Sequence, residues 1–118
     1  TSFGIIAFPL PHNSIITSIS LYYHFNNAAT YTVPPVLTAQ IYAADASQGG
    51  ANIFLPLAGT QTSITFPTSV VGGTFGSIIS NLSVPVAAMN RIMLVIYMSG
   101  PSGISASGNV NAMLEIEH

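Results

Sequence analysis

The sequence predicts an all-β domain of about eight to ten short antiparallel strands, a pattern typical of a β-sandwich or a barrel. Two observations lead to this fold class. Apolar and polar residues alternate with a period of two over several segments, as in strands with one buried face. Pro, Gly, Asn and Ser residues separate these segments at intervals of about 8–12 residues. We expect the 118 residues to form one domain, 1–118.

The first half of the chain contains three predicted strands. Ser2–Phe8 is apolar and ends at a Pro-Leu-Pro turn. In Ile15–Phe25 the predicted buried face consists of odd positions, namely Ile15, Ile19, Leu21, Tyr23 and Phe25. Val36–Ala43 follows a pair of prolines, and its predicted buried face consists of Leu37, Ala39, Ile41 and Ala43.

The second half begins with shorter apolar pieces, which are Ile53–Leu57, Ser63–Pro67, Gly76–Ser80 and Leu82–Val86. Gly72–Gly76 is glycine-rich, but no Lys or helical pattern follows it. It is therefore predicted to be a loop without a phosphate-binding role. Ile104–Glu117 gives the clearest alternation and is predicted to be the last strand.

The segment Ile92–Met98 differs because it is apolar at every position. A strand of this kind is expected to be covered on both faces. One cover is the core of the domain. The second is predicted to be another subunit, and the alternative is a loop of the same chain.

The chain carries only four charged residues, which are Asp45, Arg91, Glu115 and Glu117, while 49% of its residues are apolar. Soluble domains have roughly a quarter charged residues. A domain this apolar is expected to bury part of its surface against copies of itself. A single Arg and no Lys exclude nucleic-acid binding, and no apolar run is long enough for membrane insertion.

The residues that carry chemistry form no recognisable site. His12, His24 and His118 have no zinc-ligand spacing, and the chain has no cysteine. Glu115 and Glu117 share one face of the last strand and are expected to be solvated. Arg91 is expected to pair with a carboxylate. We therefore predict no enzymatic activity, no catalytic residues, no metal site and no cofactor.

Three segments carry a resemblance to a known family: Ile16–Phe25 (ITSISLYYHF), Leu37–Ala44 (LTAQIYAA) and Asn81–Tyr97 (NLSVPVAAMNRIMLVIY). Together with the closing NVNAMLEIEH, they resemble the C-terminal domains of BclB/BclA-type collagen-like glycoproteins of bacterial exosporia. The similarity extends from Ile16 to the end of the chain.

The resemblance implies a jelly-roll β-sandwich similar to the C1q and tumour-necrosis-factor heads, which assembles as a homotrimer at the tip of a collagen-like filament on the spore surface. It implies a structural and adhesive role, with host cell-surface or matrix proteins as candidate partners. The residues expected at the trimer interface are Tyr23, Phe25, Met93, Val95, Tyr97 and Met113. The alternative is a receptor- or glycan-binding tip domain of a phage fibre or fimbrial adhesin. Tyr22 and Tyr42, on the polar faces of their strands, are expected in a contact between subunits, and the alternative for them is a recognition surface.

Overall fold

The computed structural model describes residues 2–9, 11–44, 54–100 and 108–117, the first range as backbone only. These residues form ten β-strands and no helix, which confirms the predicted all-β class. The strands are β1 (Ser2–Pro9), β2 (Ser14–Phe25), β3 (Ala29–Thr30), β4 (Val36–Ala44), β5 (Leu55–Thr65), β6 (Ser69–Val70), β7 (Gly73–Ile79), β8 (Val84–Val86), β9 (Arg91–Ser99) and β10 (Gly108–Glu117).

All strand pairs are antiparallel, and the long strands form two sheets. The first sheet has the order β1-β9-β4-β5. The second has the order β10-β2-β7, and β8 pairs with the beginning of β2 on the β7 side. β3 and β6 form a separate small pair.

The core lies between the inner faces of the two sheets. Leu21, Tyr23 and Phe25 of β2 pack in one cluster with residues of β4, β5 and β9, such as Leu37 and Ile96. A second cluster joins the other end of β2 to β4, β8 and β9. Residues of both sheets therefore share one hydrophobic interior, an arrangement compatible with a β-sandwich.

A bulge in β2 corrects one of the predicted faces. The pairing with β10 passes from Ser18 to Ile16, so Thr17 is the extra residue. An extra residue reverses the alternation of side chains on either side of it. As a result Ile16 is fully buried, whereas Ile15, which the simple alternation placed in the core, is 39% exposed. The prediction holds from Ile19 onward.

The predicted segments differ from the observed strands at two further places. The pieces around residues 55 and 64 belong to one strand, β5, which pairs with β4 through a register shift. The glycine-rich segment predicted as a loop is mostly strand, because Gly73–Ile79 pairs with β2. Gly76 is needed there, since a Cβ at this position would lie 2.7 Å from the ring of Tyr22.

Candidate interaction surfaces

The outer face of the first sheet carries an apolar row that we call the β9 stripe, formed by Met93, Val95 and Tyr97. On the opposite face of β9, Ile92 and Ile96 point into the core and are 1% and 2% exposed. The stripe residues are only partly buried within the single chain. Leu94 and Met98 share the inner face with these two residues and pack against the core, but they are only partly buried. The single chain thus covers two inward side chains of β9 fully and leaves the outer face incompletely covered.

The residues of β4 that lie opposite the β9 stripe are uncharged, and two of them are hydrogen-bonded within the chain. Gln40 lies opposite Val95, and its Nε2 donates to the backbone oxygen of Leu57 at 3.2 Å. Thr38 lies opposite Tyr97, and its hydroxyl is 3.0 Å from that of Ser63. These contacts satisfy polar groups beside the stripe. A partner that covers the stripe therefore leaves the hydrogen bonds of Gln40 and Thr38 in place.

Arg91 lies at the end of the β9 stripe. Its guanidinium carbon is 5.6 Å from the centre of the Phe54 ring, a distance at which a cation is attracted to the face of an aromatic ring. The carboxylate partner expected for Arg91 stays a prediction, and Asp45 lies outside the described residues.

The six residues expected at a trimer interface do not lie on one surface. Tyr23 and Phe25 are in the core, 4% and 2% exposed, and their rings pack against each other and against Phe66. The interior of one domain accounts for their burial, so we do not place them in an interface. Met113 is 59% exposed on the outer face of the second sheet. Only the β9 stripe brings three of the six together.

The outer face of the second sheet contains an open cleft of about 650 Å³. Glu115 and Glu117 of β10 lie along one side of it, and both are exposed as expected. The hydroxyl of Thr17 donates to the backbone oxygen of Glu115 at 3.3 Å. The remaining lining residues are Ser18, Ser20, Ile78, Ser80, Asn81 and Leu82.

The cleft forms because the segment after β7 turns back toward the bulge in β2. Asn81 adopts a left-handed conformation with φ of 57°, and the backbone N–H of Leu82 donates to the oxygen of Thr17 at 2.9 Å. The sequence does not indicate the hydrogen bond between Leu82 and Thr17. It indicates the turn only through the preference of Asn for the left-handed conformation. The alternation of β10 therefore predicts the two exposed carboxylates, but nothing in the sequence indicates the cleft between them and residues 78–82.

An aromatic ring and a hydrogen-bonded pair extend the cleft along the same face. Tyr22 lies two positions beyond Ser20 and packs over Gly76. Farther along, Nδ1 of His24 is 2.8 Å from the hydroxyl of Thr74 on the neighbouring strand. His24 is exposed on the polar face of β2, as its position in the alternation predicted.

The described part of the chain contains no group of three or more His, Cys, Asp or Glu side chains placed to hold a metal ion. His12 is exposed in the turn before β2, and His118 lies outside the described residues. Among the described residues no helix has the length and apolar character needed to cross a membrane. Comparisons of the chain with protein-family models, with curated proteins and with solved structures found no match.

Proposed function

We propose that this protein is a non-enzymatic structural and adhesive module that associates with copies of itself through the outer face of its first sheet. The observation that carries the proposal is the β9 stripe, a row of partly exposed Met93, Val95 and Tyr97 that lies opposite uncharged residues of β4. Aromatic residues and Met are enriched in the cores of protein interfaces, and charged residues are depleted there.

Burial of apolar surface supplies the driving force for this association. At about 25 cal/mol per Å², an interface of the order of 1,000 Å² on each subunit gives a large gross gain, which the loss of translational and side-chain freedom reduces. The chain carries one basic and three acidic residues, so repulsion between copies is weak.

The strand order supports a jelly roll. Three antiparallel pairs are nested in the chain: β4 pairs with β5, β2 with β7, and β1 with β9. The innermost pair, β4 with β5, and the outermost pair, β1 with β9, belong to the first sheet and are joined by the pairing of β9 with β4. The pair between them, β2 with β7, belongs to the second sheet, where β10 also pairs with β2. A double-sheet jelly roll arises when one long hairpin folds over in this way.

The resemblance to exosporium head domains is the reason for proposing a homotrimer at the tip of a collagen-like filament. In this role the module holds three chains together and presents a hydrophobic, weakly charged tip on the spore surface. Host cell-surface or matrix proteins are the candidate partners of that tip.

The mass of the protein in dilute buffer, measured by light scattering, tests the self-association. We expect three 12.3-kDa chains, about 37 kDa. Val95→Glu places a charge in the middle of the β9 stripe and is expected to give a folded monomer. Val71→Glu is the matched control, because Val71 is 92% exposed outside the stripe, and it should leave the mass unchanged. A wild-type protein that stays at 12.3 kDa would refute the proposal.

A second candidate function is glycan binding in the cleft of the second sheet. Carboxylates, hydroxyls and the Asn81 amide line this cleft beside the ring of Tyr22, and such groups hydrogen-bond and stack with sugars. On a glycan array, Glu117→Gln and Tyr22→Ala should both lower binding. Gln61→Ala, on the exposed outer face of the other sheet, should not. Equal binding by all three variants would exclude the cleft.

A further inference from the structure

Two serines of β2 form the floor of the cleft in the second sheet. Ser18 and Ser20 lie on the outer face of this strand, yet they are only 8% and 9% exposed, because longer side chains on the neighbouring strands flank them. Ser20 lies opposite Met113 of β10 and Ile78 of β7, each of which is 59% exposed. The hydroxyl of Ser20 is therefore at the bottom of a groove between two taller apolar side chains.

The hydroxyls of Ser18 and Ser20 have no hydrogen-bond partner among the described residues. Within that part of the chain, the hydroxyl of Tyr31 is the only side-chain polar group that is both fully buried and without a partner, so the two serine oxygens keep contact with the cleft. A serine hydroxyl can donate one hydrogen bond and accept two. The floor of the cleft thus presents unused donors and acceptors on side chains that are more than nine-tenths buried.

Glu115 and Glu117 give one side of the cleft a negative charge. They lie on the same face of β10, about 7 Å apart along the strand, and neither has an ion-pair partner among the described residues. The only Arg of the chain, Arg91, belongs to β9 of the first sheet, and the residues outside the described ranges contain neither Lys nor Arg. His24 lies four positions beyond Ser20, about 13 Å along β2. A positive charge that balances the two carboxylates therefore has to come with a ligand.

We propose that the cleft binds a glycan with free amino groups, that is, an unacetylated amino sugar such as glucosamine. This inference rests on glycan binding, the second candidate function, and names the class of sugar. The protonated amine lies against Glu115 and Glu117, because hydrogen bonds from an ammonium group to a carboxylate are stronger than those between neutral groups. The ring hydroxyls exchange hydrogen bonds with Ser18, Ser20 and the amide of Asn81.

An amino sugar fits this cleft better than the side chain of a lysine. The methylene groups of lysine would cover the hydroxyls of Ser18 and Ser20 without bonding to them, and a buried polar group without a partner lowers stability. A sugar carries hydroxyls beside its amine. The ring of Tyr22, packed over Gly76 at the end of the cleft, gives the sugar an aromatic face to stack on. The volume of about 650 Å³ is within the usual range of small-ligand sites.

A matched pair of trisaccharides tests the proposal: β-1,4-linked glucosamine and the same sugar with an acetyl group on every amine. Binding to the 118-residue chain is measured by titration calorimetry at about pH 6, where such amines are protonated. We expect the glucosamine trisaccharide to bind about tenfold or more tightly than the acetylated one. Equal or tighter binding of the acetylated sugar would overturn this inference and leave glycan binding itself standing. Absence of binding by both sugars would also overturn the inference.

Substitution of the carboxylates tests their role in this preference. Glu117→Gln should lower the ratio of the two affinities by about threefold or more, because it removes a charge and keeps the shape of the side chain. The double variant Glu115→Gln/Glu117→Gln should bind both trisaccharides about equally. Asp45→Asn is the matched control, since it also removes one negative charge but follows β4 of the first sheet, and it should leave the ratio unchanged. A preference that survives the double substitution would contradict the proposal.

Three further measurements locate the sugar in the cleft. Ser20→Val fills the floor and removes its hydroxyl, so it should weaken binding of the glucosamine trisaccharide about tenfold, whereas Ser69→Val at an exposed position of β6 should not. Tri-lysine should bind more weakly than the trisaccharide, and equal binding would mean that charge alone is recognised. His118→Gln should leave the affinity unchanged. A marked rise would mean that the His118 imidazole already balances the carboxylates, and would contradict the proposal.

Discussion

Replacement of Tyr31 by Phe should stabilise the protein, because the tyrosine hydroxyl is buried without a hydrogen-bond partner among the described residues. The residue is 7% exposed, and its ring centre lies 5.9 Å from that of Phe66 in the aromatic cluster of the core. The backbone N–H of Tyr31 donates to the oxygen of Thr68 at 2.7 Å, so the substitution leaves the main-chain contact in place.

The magnitude follows from the cost of an unsatisfied polar group. A buried donor without a partner costs about 1–3 kcal/mol, while the ring contacts of Tyr and Phe are nearly the same. We expect Tyr31→Phe to raise the free energy of unfolding by about 1 kcal/mol, the lower end of this range. In a domain of 118 residues that corresponds to an increase in Tm of roughly 4 °C.

Urea and thermal unfolding followed by circular dichroism provide the measurement. Tyr22→Phe is the control, since Tyr22 lies on the outer face and its substitution should change the unfolding free energy by less than about 0.5 kcal/mol. If Tyr31→Phe lowers the unfolding free energy by about 1 kcal/mol or more, the hydroxyl makes a stabilising hydrogen bond, and the reasoning from its burial is wrong.

Three further outcomes are expected. Phe66→Ala should lower the unfolding free energy by about 3–5 kcal/mol in the same urea experiment, because this ring is 1% exposed and contacts three other aromatic rings. Met89→Gly should raise the free energy of unfolding by about 0.5–1 kcal/mol, because Met89 has a φ of 66°, which glycine adopts without strain. Val33→Gly is the control, since Val33 is also 57% exposed, and it should not raise the free energy of unfolding. Burial, with a smaller contribution from Tyr31 in the case of Tyr23, raises the pKa of Tyr23 and Tyr31 above 10.0. The folded state thus favours the neutral phenols. These groups should leave the free energy of unfolding unchanged below pH about 10 and lower it as the pH rises through their folded pKa. A free energy of unfolding that stays constant in that pH range would contradict this prediction.

Prediction from the sequence worked best where alternation was uninterrupted. In β4 three of the four predicted inward residues, Leu37, Ala39 and Ile41, are fully buried, whereas Ala43 is partly buried. In β10 the asparagines and glutamates are exposed, while Ala112, Leu114 and Ile116 are turned inward. Alternation carries this information because successive side chains of a strand point to opposite faces.

Prediction was less successful where the backbone departs from regular geometry or where burial depends on a distant strand. Because of the bulge at Thr17, Ile16 is buried in place of Ile15, and no residue type in this segment predicts the extra residue. Tyr23 and Phe25 were expected at an interface as well as on the inner face. Whether an apolar side chain meets its own core or a partner depends on the opposite sheet, which the local pattern does not contain.

The amino-acid sequence by itself determined the all-β class, the places of most strands and a surface with very few charges, because these properties follow from local alternation and from composition. The tertiary structure decided which strands pair, and with them the cleft beside Glu115 and Glu117. These features unite segments far apart in the chain. Their geometry depends on the strand order and register of the sheets, and these are set by contacts between distant segments that no single segment specifies.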